Sequence, residues 1–485
     1  MNMSNEKDPL LPGNTTIQKN EHYNSFPSLN DEDETKVIGG SSVNTYHRRW
    51  YILTLFSFLA FTQASSWNTW GPIADTTKAV LKWTDGDIAL LTNWGCIMFL
   101  LTAVFFSWLL DVKGLRWAIL TSATILQIGL ITRCIPVGID NIKWTMNIGH
   151  ICIGIAGPVL MSAPTLISAT WFPPTQRTTS TALTSSAAYL GIAGSFLIGP
   201  VIVTDIKTIN QTDVNETAFT YTDNGFDISE ATRHEHFQEI MKLMYIECAF
   251  GAILFLCALI YFPAKPPLPP SVSASTVRED FVKGLKRVIK NPQVWILSLS
   301  YSITTGLFNS WNTQFDTIFS NTVNVQQDVT GWIGFFSNIA GTVGGLVVGR
   351  CVDFMGGRMK IVLLILTTLS AGFYIWVVCI CSKYIIFELW QLYFAIVAGA
   401  FLVSSSVPVY FELMVETAYP VGEGTTTMFQ AILNNLVALI FLFIPMIPNL
   451  GVLWMNWAMF GACFICIPLL IVFKENYQRL KMDLK

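Results

Sequence analysis

The sequence contains few charged residues. Only 13% of its 485 positions are Asp, Glu, Lys or Arg, whereas about a quarter is usual for a soluble domain. Hydrophobic residues make up 52% of the chain, and apolar runs of about 20 residues, each long enough to cross a bilayer as a helix, recur along it. The composition therefore excludes an ordinary soluble domain and predicts a protein that crosses the lipid bilayer many times.

Several chemical motifs are also missing. The sequence has no glycine-rich phosphate-binding loop, no His/Cys cluster with metal-ligand spacing and no nucleophile elbow. Its ten cysteines are scattered, and Cys463-x-x-Cys466 lies within an apolar run, where cysteine is a small packing residue. We therefore expect no enzymatic activity, no cofactor, no metal and no nucleic-acid partner, and we expect any transport to be driven by a gradient rather than by ATP.

The apolar segments predict an all-α membrane protein with twelve transmembrane helices in two six-helix halves. Because the first forty-odd residues are polar, we expect no cleavable signal peptide. The predicted spans are 50–72, 88–110, 117–137, 144–169, 180–203, 240–262, 293–315, 330–351, 359–382, 387–414, 425–447 and 451–473.

Lysine and arginine residues predict the orientation. They precede the first helix, follow helices 2, 4 and 8, and fill the linker, so that one side of the membrane is basic and both termini are expected in the cytosol. Asn210 and Asn215 begin glycosylation sequons on the opposite side. We predict a disordered cytosolic tail over 1–46, helical halves over 47–262 and 293–474, a Pro-rich basic linker over 263–292, and a cytosolic tail over 475–485.

Two short motifs occur once in each half. Ser66-Trp67-Asn68-Thr69 recurs at 310–313, and a D-x-x-G-x-R loop follows both helix 2 and helix 8. The similar offsets indicate an internal duplication. The loop residues are Asp111, Gly114 and Arg116 in the first copy, and Asp353, Gly356 and Arg358 in the second.

These motifs carry a family resemblance. The doubled Asp-Gly-Arg loop, with SFLIGP at 195–200, resembles the major facilitator superfamily. FELMVETAYPVGEG at 411–424 resembles the signature of solute carrier family 49, and WNTWGPI, TWFPPTQR and FPAKPPLPPS are similar to one branch of it, with similarity from about residue 47 to 480. The resemblance implies a proton-driven exporter of pyridoxine (vitamin B6) from the lysosome lumen to the cytosol. Choline, haem, another small organic metabolite, or a non-transporting sensor role are the alternatives.

The loop motif implies a gate. A carboxylate such as Asp111 can bind a helix N-terminus and an arginine, thereby locking two helices together; the alternative is a plain capped turn. Glu412 and Glu416 are four residues apart, so they share one helix face. We expect a structural charge network with Arg177 or with the Arg350/Arg358 loop, and proton carriage is the alternative.

Two further residues are candidates for proton coupling. Glu247 is a carboxylate within the sixth predicted helix, and an intramembrane carboxylate is a candidate functional site by default. The alternative is a glutamate that snorkels to the lumenal surface. His150 could titrate at lysosomal pH, or it could be a structural histidine.

The candidate substrate residues are aromatic or carry amides. The superfamily's first, fourth, seventh and tenth helices line a central cavity, and Trp67 would offer a π surface for an aromatic ring or a cation. The resemblance to the choline transporters places their pocket on Gln63, Trp67, Tyr189, Asn309 and Asn435, and the repeated tetrapeptide adds Asn68 and Trp311. Simple helix packing is the alternative for the tryptophans.

The amino-terminal segment contains a sorting pattern. Glu6-x-x-x-Leu10-Leu11 is an acidic dileucine sequence of the kind that clathrin adaptors bind in exposed cytosolic tails. Such short patterns also arise by chance. The pattern and the resemblance together predict a multi-pass protein of the lysosomal membrane, with protons and a small molecule as its other partners.

Overall fold

The computed structural model describes residues 36–38, 41–204, 219–222, 225–228, 230–275, 279–325, 327–355, 357–444 and 451–483. Helices dominate these ranges. The first part contains α1 (Arg48–Trp67), α2 (Ala74–Leu81), α3 (Asp85–Trp108), α4 (Leu115–Arg133), α5 (Ile142–Trp171), α6 (Arg177–Ile202) and α7 (Glu230–Ile260).

The second part follows two short linker helices, α8 (Val272–Ser275) and α9 (Phe281–Lys290). It contains α10 (Pro292–Tyr301), α11 (Leu307–Asn312), α12 (Phe315–Val323), α13 (Gln327–Met355), α14 (Met359–Cys381), α15 (Leu389–Ala418), α16 (Glu423–Phe443), α17 (Leu453–Val472) and α18 (Gln478–Asp483). A π-helical turn, Ser302–Gly306, joins α10 to α11, and another, Leu109–Lys113, extends α3.

Twelve of these elements correspond to the predicted membrane helices, which confirms the predicted fold class. Ten described helices, α3 to α7 and α13 to α17, are long and apolar enough to cross a membrane. The other two are α1, whose first turn carries Arg48 and Arg49, and the α10–α11 pair, which the π-helical turn divides.

Local sequence explains several helix boundaries. Thr84 and Asp87 form a reciprocal capping box at the start of α3. Asn291 caps α10, and Pro292 occupies its first position, where no amide hydrogen is needed. The helix α1 ends at Trp67, five residues before the predicted boundary, because Asn68 leaves the helical conformation. The helix α7 starts ten residues earlier than predicted.

Each half has its own apolar core. One cluster in the first half includes Phe56, Phe106 and Ile167, and one in the second half includes Trp311, Tyr374 and Ile396. We call the end of the bundle that holds Arg48, Lys113, Arg358 and the linker the basic end, and the other the opposite end. Prominent contacts between the halves pair α6 with α13, α3 with α16, and α5 with α16.

Four segments contain secondary structure that we did not predict. Within the tail predicted to be disordered, Lys36–Ile38 pairs antiparallel with Ser41–Val43, matching Lys36 to Val43. A second hairpin pairs Phe219–Thr222 with Gly225–Ile228. The Pro-rich linker contains α8 and α9, both after the run of prolines that ends at Pro270, and the final tail contains α18.

Candidate functional site

Asp111 joins the two halves at the basic end. It lies in the π-helical turn after α3 and accepts hydrogen bonds from the backbone N–H groups of Gly424 (2.9 Å) and Thr425 (2.7 Å), and one from the Thr425 hydroxyl. These groups are at the N-terminus of α16, where free amides and the helix dipole stabilise an anion. A Cβ atom on Gly424 would lie 2.5 Å from Oδ1 of Asp111, so this contact requires glycine.

Asp353 makes the equivalent contact in the reverse direction. It lies near the end of α13 and accepts from the N–H groups of Thr178 (2.9 Å) and Thr179 (2.8 Å), and from the Thr179 hydroxyl (2.5 Å). These residues open α6. Each aspartate of the repeated loop therefore caps a helix of the other half, and each contact includes a threonine hydroxyl.

The remaining residues of the two loops lie outside these caps. Gly114 has φ of +88°, a conformation that glycine adopts readily. Arg116 and Arg358 are exposed, and within the described residues no ion pair joins either arginine to the aspartate of its own motif. The expected arginine contact is therefore absent there. Gly356 lies outside the described residues.

An arginine of the final tail binds the glutamates of the family signature. Arg479, in α18, is 3% exposed at its side chain and contacts Glu412 (2.6 Å), Glu416 (3.0 Å) and Glu423 (3.9 Å). The backbone N–H groups of Arg479 and Leu480 also donate to Glu416. Burial alone would lower the pKa of Arg479, but the three carboxylates raise it above the usual arginine range. We call these four residues the arginine cage.

The arginine cage extends into the first half. The Thr181 hydroxyl of α6 donates to Glu412 at 2.7 Å, and the Ser168 hydroxyl of α5 contacts it at 3.4 Å. The expected charge network therefore exists, but its cation is Arg479. Arg177, one of the partners we expected, donates to Ser271 (2.5 Å) and Ser273 (3.0 Å) of the linker.

Two candidate substrate residues meet between the halves. The Tyr189 side chain of α6 lies close to the side chain of Asn309 in α11. Both side chains are partly exposed. Asn309 follows the π-helical turn, whose Thr305 accepts from Asn434 at 2.6 Å. Such turns occur often at functional sites, because they reorient the side chains that follow.

Two amide candidates lie on neighbouring helices. Asn435 of α16 donates to the carbonyl of Ala431 and contacts the sulfur of Met161 in α5. Gln63 of α1 donates to the carbonyl of Ile153 at 3.4 Å. Both amides are half-buried and belong to helices on either side of the space between the halves. With Tyr189 and Asn309, these candidates come from four helices, α1, α6, α11 and α16.

The repeated tryptophans are packing residues in their own halves. The indole N–H of Trp67 donates to the carbonyl of Thr92 at 3.0 Å, and the ring packs against a cluster that includes Leu130 and Ile153. Trp311 has no exposed surface and donates to Asn456 at 2.8 Å. Its burial contradicts the predicted substrate contact of Trp311, whereas Trp67 remains half-exposed.

Glu247 forms a largely buried ion pair at the opposite end. Its carboxylate lies 2.9 Å from Arg133 of α4, and the Thr69 hydroxyl donates to it at 2.7 Å. The side chain of Arg133 is 1% exposed and that of Glu247 is 11% exposed. Glu247 therefore does not extend to the surface as a free carboxylate, because Arg133 compensates its charge inside the protein.

The other opposite-end candidates lie close to this pair. His150 is fully buried, with Nδ1 3.2 Å from the Met146 carbonyl and its ring 6.2 Å from that of Trp70. The Arg133 guanidinium lies 5.8 Å from the Trp70 ring centroid. Asn68 donates to the Ser195 hydroxyl of α6 at 2.9 Å, which places it beside α6.

Sequence reasoning missed the most connected of these residues. Arg479 lies in a tail to which we assigned no role, although three glutamates within twelve positions of the signature require a nearby cation. Thr178, Thr179 and Thr425 were also missed, because each binds an aspartate that is distant in sequence. The sequons at Asn210 and Asn215, and the sorting residues Glu6, Leu10 and Leu11, lie outside the described residues.

Comparisons with known proteins agree with this architecture. The profile of the Major Facilitator Superfamily matches residues 55–442. Two solved structures share the fold: FucP in the outward conformation, with TM-score 0.65 and 11% identity over 87% of this chain and 99% of that chain, and the proton:xylose symporter XylE, with TM-score 0.67 and 12% identity over 89% and 98%. The chain is thus a membrane transporter of the major facilitator class.

Sequence relatives identify the family within this superfamily. "Solute carrier family 49 member 4 homolog" of Xenopus laevis is 35% identical over 450 residues, covering 92% of this chain and 95% of the relative. "Choline/ethanolamine transporter FLVCR1" of Mus musculus is 25% identical over 430 residues, covering 86% and 72%. The chain belongs to solute carrier family 49.

Proposed function

We propose that this protein is a proton-driven secondary transporter that exports pyridoxine from the lysosome lumen to the cytosol. The choice of substrate rests on sequence identity, which is higher to one member of the family than to another. Identity is 35% to the member 4 homolog and 25% to the choline/ethanolamine transporter, and the motifs of the pyridoxine-exporting branch run along most of the chain.

The chemistry of the space between the halves supports a small polar aromatic substrate. Pyridoxine presents an aromatic ring, hydroxyl groups and a ring nitrogen. Tyr189 and Asn309 supply hydroxyl and amide groups from opposite halves, and Gln63 and Asn435 add two further amides. Trp67 is partly exposed, and we propose that the exposed part of its ring stacks on the substrate, while the rest packs against the first half and its N–H group donates to Thr92.

The orientation follows from the loop charges. We propose that the basic end faces the cytosol and the opposite end faces the lumen, with both termini cytosolic. Asn210 and Asn215 would then be glycosylated in the lumen, and Glu6, Leu10 and Leu11 would bind a clathrin adaptor. The domain boundaries given under Sequence analysis accompany this topology.

The proposed gate closes the cytosolic side. Asp111 and Asp353 cap helices across the halves, and Glu412, with Glu416, holds Arg479 beneath them. All of these contacts lie at the basic end, so their rupture would open the site to the cytosol. Glu247 and His150, at the opposite end, are the proposed proton-coupling residues, because an acidic lumen would reach them first.

Choline or ethanolamine is the second candidate substrate. The relative FLVCR1 is a choline/ethanolamine transporter by name, and a tryptophan face such as that of Trp67 binds a quaternary ammonium through a cation–π contact. The two candidates differ in a testable way, because only pyridoxine carries an aromatic ring that can stack.

Transport at the cell surface tests the proposal. Replacing Leu10 and Leu11 with alanine is expected to move part of the protein to the plasma membrane. Uptake of labelled pyridoxine would then be measured at about pH 5 and about pH 7.5, with and without a protonophore. We expect uptake at acidic pH that the protonophore abolishes. Uptake of labelled choline without pyridoxine uptake would favour the second candidate, and pyridoxine uptake that ignores pH would refute proton drive.

A further inference from the structure

A short amphipathic helix, α9, lies at the basic end, directly before the first membrane helix of the second half. It spans Phe281–Lys290, and the single residue Asn291 separates it from α10. Its sequence, FVKGLKRVIK, consists of apolar residues, one glycine and four basic residues, without an acidic side chain. Helices exposed only to water usually mix charges of both signs, so this composition indicates an anionic environment.

The basic and apolar side chains of α9 lie on different faces. With about 100° between successive residues, the basic positions fall within an arc of about 100°, and the glycine and apolar positions share the rest. Gly284 and Val288 form one edge of the apolar face and are buried. Val282 and Ile289 form the other edge, next to the lysines, and are 54% and 49% exposed. The helix therefore packs against the protein through only part of its apolar face.

The buried edge fixes α9 to the second half. Val288 belongs to an apolar cluster that also contains residues of α10 and Val421 of the loop before α16. A Cβ atom on Gly284 would lie 2.9 Å from Val421, so the helix approaches this loop closely. The indole N–H of Trp295 in α10 donates to the carbonyl of Ile289 at 2.7 Å. These contacts keep the other apolar edge of α9 facing outward.

The neighbourhood of α9 is that of a membrane boundary. Asn291 has an extended backbone, so the chain turns between α9 and the membrane helix that starts at Pro292. Trp295, one turn into that helix, is of a residue type enriched where membrane meets water. Lys474 is exposed, and its backbone N–H donates to Gln293 at 2.8 Å, which brings another basic residue to this level. Basic side chains and an exposed apolar edge thus occur together beside the start of a membrane helix.

The acidic residues nearby do not neutralise the lysines of α9. Glu279 lies 3.4 Å from Arg287, and Asp280 is exposed at the start of the helix. Glu475, next to Lys474, accepts from the Tyr477 hydroxyl. Within the ranges that the structure describes, no ion pair includes a lysine of α9. An anionic surface would supply their counter-charges.

We propose that α9 binds the anionic lipid headgroups of the leaflet at the basic end. The exposed apolar edge enters the boundary between headgroups and acyl chains, and the three lysines donate to the phosphate and carboxylate groups of the lipid. A protein partner fits less well. A helix that docks into a groove presents apolar anchors along its whole face, whereas Gly284 and Val288 are already buried in this chain.

This inference goes beyond the proposed function and does not depend on it. It requires a membrane protein with α9 at the headgroup level, whatever the substrate is and whether or not protons drive transport. A transporter of choline would bind lipid at α9 in the same way, so failure of the pyridoxine assignment leaves the lipid site untouched.

Photo-crosslinking tests the lipid site. The full-length protein would be placed in nanodiscs of phosphatidylcholine that contain a phosphatidylserine with a photoactivatable headgroup, and labelled peptides would be identified by mass spectrometry. We expect label on α9, lowered at least about fivefold in Lys286→Gln/Lys290→Gln. The matched control Lys82→Gln/Lys242→Gln removes two exposed lysines elsewhere and should label α9 as the wild type does. Equal labelling of α9 in the wild type and in Lys286→Gln/Lys290→Gln would overturn the proposal.

Competition identifies what occupies the site. Unlabelled phosphatidylserine should displace the label, whereas the same excess of phosphatidylcholine should not. Equal displacement by the two lipids would show that the lysines do not select anionic headgroups, and displacement by inorganic phosphate would assign the site to a free anion. An α9 that takes no label in any nanodisc would indicate a helix covered by another partner. Each of these three results would overturn the proposal.

The apolar edge needs its own test. Val282→Ser/Ile289→Ser keeps every basic charge and changes only exposed positions, so the melting temperature should match that of the wild type. We expect this variant to lose most of the labelling by a phosphatidylserine whose photoactivatable group lies in the upper acyl chain. Unchanged acyl-chain labelling would contradict the insertion of this edge into the leaflet.

Discussion

The two halves are alike at the basic end and differ at the opposite end. At the basic end, Asp111 and Asp353 each bind two amides and a threonine hydroxyl of the other half. At the opposite end, the repeated tetrapeptide has diverged. The Thr69 hydroxyl donates to Glu247 of another helix, whereas the described contact of the Thr313 hydroxyl is with the Ser310 carbonyl, three residues earlier. The aspartate caps are therefore present in both halves, whereas among the residues whose side chains the structure describes, an ion pair lies beside the tetrapeptide only in the first half.

This difference suggests a division of labour. The contacts of Asp111 and Asp353 can be broken only by separating the two halves, because each aspartate binds a helix of the opposite half. An asymmetric charge pair can respond to a proton within one half. We interpret the basic end as the gate and the opposite end of the first half as its proton-sensitive control.

The largest expected effect comes from removing the cation of the arginine cage. Arg479→Ala would remove the buried cation that Glu412, Glu416 and Glu423 share, and breaking such a buried ion pair costs about 3–5 kcal/mol. We expect a strongly lowered melting temperature and poor expression, measured by fluorescence-detected thermal denaturation in detergent. Lys481→Ala, an exposed position in the same helix, is the matched control. Equal melting temperatures in the two variants would contradict the structural role of Arg479.

A smaller effect should follow from weakening either of the two aspartate caps at the basic end. Asp111→Asn and Asp353→Asn remove a charge from a helix N-terminus and weaken charge-assisted hydrogen bonds, each by about 1–2 kcal/mol. We expect both variants to shift the closed–open equilibrium of the basic end by about 5- to 30-fold. Distances between spin labels on α3 and α16 would report it. A shift in only one variant would show that Asp111 and Asp353 do not have equivalent roles.

The two tryptophans of the repeat should respond differently to phenylalanine. Trp311→Phe deletes the hydrogen bond to Asn456 in a fully buried site, so we expect a loss of about 1–3 kcal/mol of stability and unchanged affinity for substrate. Trp67→Phe keeps an aromatic face, so transport should persist, whereas Trp67→Ala should abolish it. Melting temperature and pyridoxine uptake distinguish these outcomes, and full uptake by Trp67→Ala would remove the stacking role.

The smallest effect is expected at the diverged threonines. Thr313→Val removes a bond within its own helix and should change stability by less than about 0.5 kcal/mol, with an unchanged pH profile. Thr69→Val removes a hydrogen bond to Glu247 and should displace the pH midpoint of uptake while leaving its maximum nearly intact. Coincident pH profiles for the two variants would show that the tetrapeptides have not diverged in function.

Much of the fold follows from hydrophobicity alone. Twelve long apolar runs can be satisfied in a bilayer only as helices, and most predicted boundaries lie within a few residues of those observed. The exceptions have local causes. Asn68 ends α1 early, and α7 begins in a polar segment, where Glu230 and Arg233 gave no apolar signal.

The site was less predictable because its contacts join distant parts of the chain. The sequence identified Asp111, Asp353, Glu412 and Glu416 as charged residues in need of partners, but not the amides or the arginine that they bind. Arg479 is 67 positions from Glu412. Trp67 and Trp311 have identical neighbours in sequence, and only packing shows that Trp311 has no exposed face.

Proton movement coupled to substrate tests the central claim most directly. Purified protein would be reconstituted in liposomes that contain a pH-sensitive dye, and pyridoxine would be added without an imposed pH gradient. We predict that inward pyridoxine flow acidifies the lumen of wild-type liposomes, and that Glu247→Gln abolishes this acidification but retains pyridoxine exchange. Pyridoxine flow through the wild type without proton movement would contradict the account.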